Sequence, residues 1–229
     1  MIFRQLFDKE SSTFTYLVGD ETTRKAALID PVVEHVERDL KLVSELGLEV
    51  AVILDTHVHA DHVTGAGTLR DRTGAKTHFS ASGGPACADV LLHDGDVVHV
   101  GELVIRALST PGHTDSCMSY LVGDRVFTGD ALMVRGCGRT DFQEGDAATL
   151  WRSVHEKLFV LPDPTYVYPA HDYRGQTCST IGEEKKHNPR LGGTSTVASF
   201  VELMHSLHLP PPAKINEAVP ANKACGKRD

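Results

Sequence analysis

The sequence lacks closely spaced cysteine pairs. Its 229 residues include five (Cys87, Cys117, Cys137, Cys178 and Cys225), and no two are spaced as C-x-x-C. An odd count without that spacing reads as a reduced, intracellular protein rather than a disulfide framework. None is required for size reasons, since a chain this long can bury roughly 70% of its unfolded surface. No apolar run approaches the roughly 18 residues of a membrane-spanning helix. The start, MIFRQLFDKE, has no apolar signal segment and begins at once with strand-like residues. The expected location is cytoplasmic, or the mitochondrial matrix if a targeting segment was removed. Basic excess is missing too: 23 Lys and Arg face 31 Asp and Glu, a net charge of −8. That argues against nucleic acid and anionic membranes as partners. There is no low-complexity linker and no short repeat. One domain is expected over 1–229, with 209–229, which opens on Leu209 and Pro210-Pro211-Pro212, as a C-terminal tail.

What is present is an alternation of strand and helix patterns. Residues 2–7, 12–18 and 25–30 read as short strands broken at Asp8-Lys9-Glu10-Ser11 and Gly19-Asp20-Glu21. Val33–Leu46 has apolar residues at helical spacing with Gly47 as a stop, and Leu48–Leu54 is an apolar strand of the buried kind. A helix is expected at Ala66–Thr73. A second series follows, with strands at 97–100, 103–108, 118–122, 125–128 and 165–168. Helices are expected at 146–158, capped by Asp146, and at 180–187 and 196–208. The pattern predicts an α/β fold of two sheets face to face with helices outside.

The densest chemistry is THVHADHVTG, residues 56–65, which places His57, His59, Asp61 and His62 directly after the strand ending at Leu54. The same arrangement recurs three times: a strand ends, a small or Gly/Pro-rich turn follows, and a metal-ligand residue type sits in it. Leu108 leads to His113, Thr128 to Asp130, and Tyr168 to His171. Loops on a rigid scaffold are where sites are built. If these strand ends share one edge, five histidines and two carboxylates converge. Such a set suits Zn²⁺, Fe²⁺ or Mn²⁺, and its lack of thiolates favours a catalytic over a closed structural site. Asp130 by itself reads equally as a hairpin end or helix cap. His35, His78, His93, His99, His155, His187, His205 and His208 read as ordinary surface or core histidines.

THVHADHVTG, PGHTDSC, FTGDAL and YPAHDY, in that order, resemble the motif series of the metallo-β-lactamase superfamily. The resemblance implies an αββα sandwich of two mixed β-sheets with the metal site at one edge. It also implies possible ligands: His57, His59 and His113 at one position, Asp61, His62 and His171 at another, and Asp130 between. Fold does not settle function here. MVRGCGRTDFQEGD (133–146), HDYRGQTCSTIGEEKKHNPRL and INEAVPANKACG resemble the persulfide dioxygenase family; the glyoxalase II family of binuclear glutathione-thioester hydrolases is the alternative.

The persulfide dioxygenase resemblance implies one Fe(II) per chain, held by the matching His57, His113 and Asp130. This two-histidine, one-carboxylate set leaves one face of an octahedron open for substrate and O₂ side by side. The implied reaction takes glutathione persulfide, O₂ and water to sulfite and glutathione. His59, Asp61, His62 and His171 then take outer roles, fixing ring tautomers and bonding water. For the carboxylates of glutathione, Arg139 is the leading candidate, with a surface ion pair as its alternative. Tyr173 could offer a hydroxyl or be a core tyrosine, and Lys214 is a further candidate. Cys137 reads as a small buried hydrophobe or a redox thiol, and Cys225 as exposed to oxidation. A third class, a metal-binding redox sensor acting through these thiols, would bind metal without turnover. A homodimer is a family-level expectation.

Overall fold

The computed structural model describes residues 1–227. The first sheet holds β1 (Ile2–Asp8), β2 (Thr13–Gly19), β3 (Lys25–Ile29), β4 (Glu49–Leu54), β5 (Lys76–Ser80) and β6 (Val90–Leu92), in that spatial order. The second holds β7 (Val97–Val100), β8 (Leu103–Ser109), β9 (Met118–Val122), β10 (Arg125–Gly129), β11 (Tyr166–Pro169) and β12 (Ser179–Thr180), again in order. Both are mixed: hairpins give antiparallel pairs, and the helical crossovers give parallel β3–β4 and β10–β11.

The layers follow from side-chain alternation. Phe14, Tyr16 and Val18 of β2 face Ile105, Tyr120 and Phe127 of the opposing sheet and form the inner core. Leu17, between them in sequence, points outward to a cluster with α1 (Val36–Glu45) and α2 (Ala66–Thr73). The outer face of the second sheet buries Val126 and Val167 under α3 (Ala147–Ser153), which runs on as a π-helical turn to Leu158, and under α4 (Ile181–His187) and α5 (Val197–Ser206). Asp146 and Thr180 cap α3 and α4 by accepting from Thr149 N and Glu183 N. The result is a four-layer αββα sandwich, as the sequence leads one to expect.

Three short strands escape the sequence reading: β5, β6 and β12. β6 and β12 are too short for a periodic signal and β5, Lys-Thr-His-Phe-Ser, is too polar for one; pairing with neighbours makes them strands. The segment read as a tail carries α6 (Ile215–Lys223), packed through Ala218 and Ala221 against Val63.

The cysteine expectation is corrected. Cys87 and Cys225 are joined by a disulfide, and Cys225 is fully buried rather than exposed. The partners are 138 positions apart, so no spacing rule could pair them. Closing a loop this long contributes roughly 5 kcal/mol in the chain-entropy account. That matters for α6, whose nine residues fall short of the roughly 12–15 at which an isolated helix is even marginal.

Candidate metal centre

The two sheets are stitched together at one edge. Phe14 N donates to Ala170 O and Met118 N to Thr56 O, both at 2.7 Å. The Tyr120 hydroxyl crosses the sandwich to Asp55 O at 2.8 Å, pinning the end of β4 just before His57. All four strand-end loops open at this edge, and their side chains meet. Two groups of ligand atoms form, each with its atoms within 4.8 Å of one another: His57, His113 and Asp130, and beside it His59, Asp61, His62 and His171.

Each ring is oriented by a partner. The Thr56 hydroxyl donates to Asp30 (3.0 Å), so it accepts from His57 Nδ1 (3.0 Å) and leaves His57 Nε2 bare. His113 Nδ1 donates to Arg139 O at 2.6 Å, and its Nε2 lies 3.5 Å from Asp130 Oδ2. These tautomers follow from the partners' chemistry. His59 Nε2 is taken by Asp30 at 3.0 Å, and His62 Nδ1 by Asp61 at 2.9 Å. His171 bridges two carboxylates, with Nδ1 2.7 Å from Asp130 and Nε2 3.0 Å from Asp61.

Electrostatics sort the groups. Burial, then the neighbouring His59, His113 and His171 rings, hold His57 well below its ordinary pKa, so its ring is neutral. Burial alone would raise the Asp130 carboxyl, but the His171 and His113 rings together outweigh it and keep it ionised. The His171 ring goes the other way: burial opposes its charge, yet Asp130 and Asp61 raise it well above the ordinary value.

The fit to a metal can be tested on the side chains themselves. His59 Nδ1 and His62 Nε2 are buried and have no hydrogen-bond partner. Buried polar atoms are rarely left so, and an ion is one of the few explanations. Imidazole nitrogens and carboxylate oxygens around one point suit a divalent transition metal.

The centre lies on the wall of a cavity of about 670 Å³. Three residues singled out for substrate line it, and two are already paired. Arg139 donates to Asp141 at 2.6 and 2.8 Å, to Pro210 O at 2.6 Å and to Leu209 O at 3.1 Å. Its guanidinium straps residues 209–210 to the cavity wall. Lys214 Nζ pairs with Glu10 at 2.6 Å. Tyr173 is 69% exposed, so it is a rim residue and not a core tyrosine. Its ring lies parallel to His171 at 6.0 Å. Cys137 is buried, and burial pushes its thiol up to about 11.

Sequence reasoning missed several members. Asp30 follows β3 as His57 follows β4, so the strand-end rule that found the others could have found it. Thr13 reaches Asp61 at 3.0 Å and His171 at 3.1 Å through its hydroxyl, and nothing local marks it. Arg174 and Arg190 also line the cavity. Asp30, Asp55 and His59 form a third, fully buried group, which supports the back of the His59 ring.

Comparison with known proteins agrees with this geometry. The family model described as metallo-beta-lactamase superfamily matches residues 8–171. Persulfide dioxygenase ETHE1, mitochondrial, of Homo sapiens is 49% identical over 99% of this chain and 89% of its own length. The crystal structure of ETHE1 from Myxococcus xanthus is 59% identical, covers 99% of this chain and 100% of that one, and superposes with a TM-score of 0.97. TTHA1623, solved in a di-iron-bound form, is 26% identical with a TM-score of 0.69, covering 81% of this chain and 98% of that one. Sequence and fold thus agree over nearly the whole chain, which belongs to the metallo-beta-lactamase superfamily and, within it, to the persulfide dioxygenase family of oxidoreductases.

Proposed function

We propose that this chain is a mononuclear Fe(II) persulfide dioxygenase, with His57, His113 and Asp130 as the ligands. The substrate would be glutathione persulfide, taken with O₂ and water to glutathione and sulfite. The observation that carries this reading is the arrangement of those three side chains. The neutral His57 ring with its bare Nε2, the His113 ring turned by the Arg139 carbonyl, and the ionised Asp130 carboxylate converge on the cavity wall. A two-histidine, one-carboxylate set of this kind suits ferrous oxygenase chemistry. Ferrous iron bound there would supply the electron chemistry with O₂ that redox-inert zinc lacks.

The chain's own residues do the rest. Thr56 and the Arg139 carbonyl hold the two rings to the metal side. His171, between Asp130 and Asp61, holds a proton next to the centre and keeps the Asp130 carboxylate turned. Glutathione carries two carboxylates and an amine. Arg174, Arg190 and Tyr173 line the cavity wall, while Arg139 and Lys214 shape it through their ion pairs. Arg190 uses one guanidinium nitrogen on Cys137 O at 3.0 Å.

A second reading has its own observation. The orphaned His59 Nδ1 and His62 Nε2, with Asp61 and His171, form a second group able to hold an ion. Occupied, it would make a binuclear hydrolase of glutathione thioesters. One experiment separates the two: metal identity and count on anaerobically purified protein, with O₂ uptake and sulfite formation on adding glutathione persulfide. One iron per chain with turnover supports the first reading. Two metals with thioester cleavage and no O₂ uptake support the second.

A further inference from the structure

We propose that Asn222, on α6, is a positioning residue of the metal centre, holding the His57–Thr64 loop by its main chain. The inference rests on a metal being bound at this loop, not on which metal or which reaction.

Asn222 is only 1% exposed, and its amide is fully used. Its Nδ2 donates to His59 O and to His62 O, both at 2.9 Å, and its Oδ1 accepts from Thr64 N at 2.8 Å. One side chain thus ties together the carbonyls of two site histidines and the amide that follows them. The loop is too irregular to pair these groups internally. Left unpaired in a buried place, each would be costly, so the loop would rearrange to reach water. The rings that project from the other side of the same peptides would move with it.

The surrounding chain is built to keep Asn222 there. Gly67 N donates to Cys225 O at 3.0 Å, so the start of α2 is bonded to the end of α6. The two backbones approach closely enough that a Cβ on Gly67 would fall 2.3 Å from Cys225 O, and one on Gly226 2.1 Å from Thr64 O. Only glycine tolerates this approach. The Cys87–Cys225 disulfide then anchors the same point to the loop before β6. Its Cys87 end is exposed, so a thiol in solution can attack that sulfur and release the buried Cys225 thiolate. Attack by a second thiol on the resulting mixed disulfide frees Cys87 and leaves the oxidised reagent.

The outer partners of metal ligands commonly set metal affinity by ten- to hundredfold. The test measures metal release to a chelator from the holoprotein, and the visible spectrum of the Co²⁺-substituted form. Asn222→Ala is expected to release metal at least tenfold faster and to alter the Co²⁺ spectrum. Asn222→Asp, which keeps the acceptor for Thr64 N but sets a carboxylate oxygen against the His59 and His62 carbonyls, is expected to release metal at least as fast as Asn222→Ala. Met204→Ala, in the outer core under the second sheet, supplies a control of general destabilisation. If Asn222→Ala does not fold, Cys87→Ser and thiol-reduced wild type provide the reading, with metal release a few-fold faster than wild type expected. Release at the wild-type rate in these proteins, or a change no larger than in Met204→Ala with an unaltered spectrum, would overturn the proposal.

Discussion

His171 Nδ1 lies 2.7 Å from the Asp130 carboxylate, although the two residues are 41 positions apart and follow different strands. The charge on the ring and the charge on the acid sustain each other in a site where burial opposes both. In the mononuclear reading His171 does not hold the iron. His171→Ala is then expected to keep most of the metal and lose about 10- to 100-fold in rate. Metal analysis beside O₂ uptake checks this; loss of one of two bound metals would favour the binuclear reading.

Asp130→Ala removes the anionic member of the three-residue set. Two neutral imidazoles are a poor cage for a dication at this edge. Iron content is expected to fall below about a tenth of wild type, with activity lost alongside it. Near-full iron occupancy in a folded variant would remove Asp130 from the ligand set.

Arg139 gives a different signature. Its guanidinium bonds the carbonyls of Leu209 and Pro210, and so holds one wall of the cavity. Arg139→Ala is expected to cost about 1.5–3 kcal/mol of stability, the usual range for hydrogen bonds from a charged group. KM should rise several-fold while iron content stays unchanged. A fall in kcat with KM untouched would show that this wall does not shape substrate binding.

Asp20 makes the fold sensitive to acid. The Glu102 backbone N–H, then the Thr23 hydroxyl, lower its carboxyl from 3.8 to about 2, and it thereby joins the end of β2 to the β7–β8 turn. A depressed carboxyl contributes stability that is present above its unfolded value and lost as pH falls through the folded one. Urea unfolding between pH 5 and about 2 should therefore show wild type losing more stability than Asp20→Asn. Parallel curves for the two proteins would refute this.

Thiol accessibility separates the cysteines. Cys117 and Cys137 are buried, and burial pushes their thiols up to about 12 and about 11. Cys178 is exposed and free, and Cys87 is bonded. Iodoacetamide at about pH 8 is expected to label Cys178 alone in native protein, since only the thiolate reacts. Rapid labelling of Cys137 would revive a redox-sensor role for that residue.

The sequence made legible whatever depends on neighbours in the chain. A continuous apolar run marks β4, and flanking turn residues mark β2 and β10. Asp146 and Thr180 mark helix starts. The spacing of His57, His59, Asp61 and His62 marks a metal-binding loop before any fold is known, because residues this close in the chain must lie at one edge; which of the two ligand groups each joins is not legible there. The ends of β8, β10 and β11 add His113, Asp130 and His171 by the same rule.

Tertiary structure decided what depends on distant pairing. Only folding shows that Arg139 is occupied by Asp141 and the 209–210 carbonyls, that Asp30 and Thr13 back the histidines, and that Cys225 meets Cys87. Only folding turns an apparent tail into the support under the histidine loop through Asn222. A single hydroxyl, amide or thiol carries no periodic signal, and its partner is selected by where the sheets and helices pack. Local pattern therefore states which groups can do the chemistry; long-range packing chooses which of them face one another.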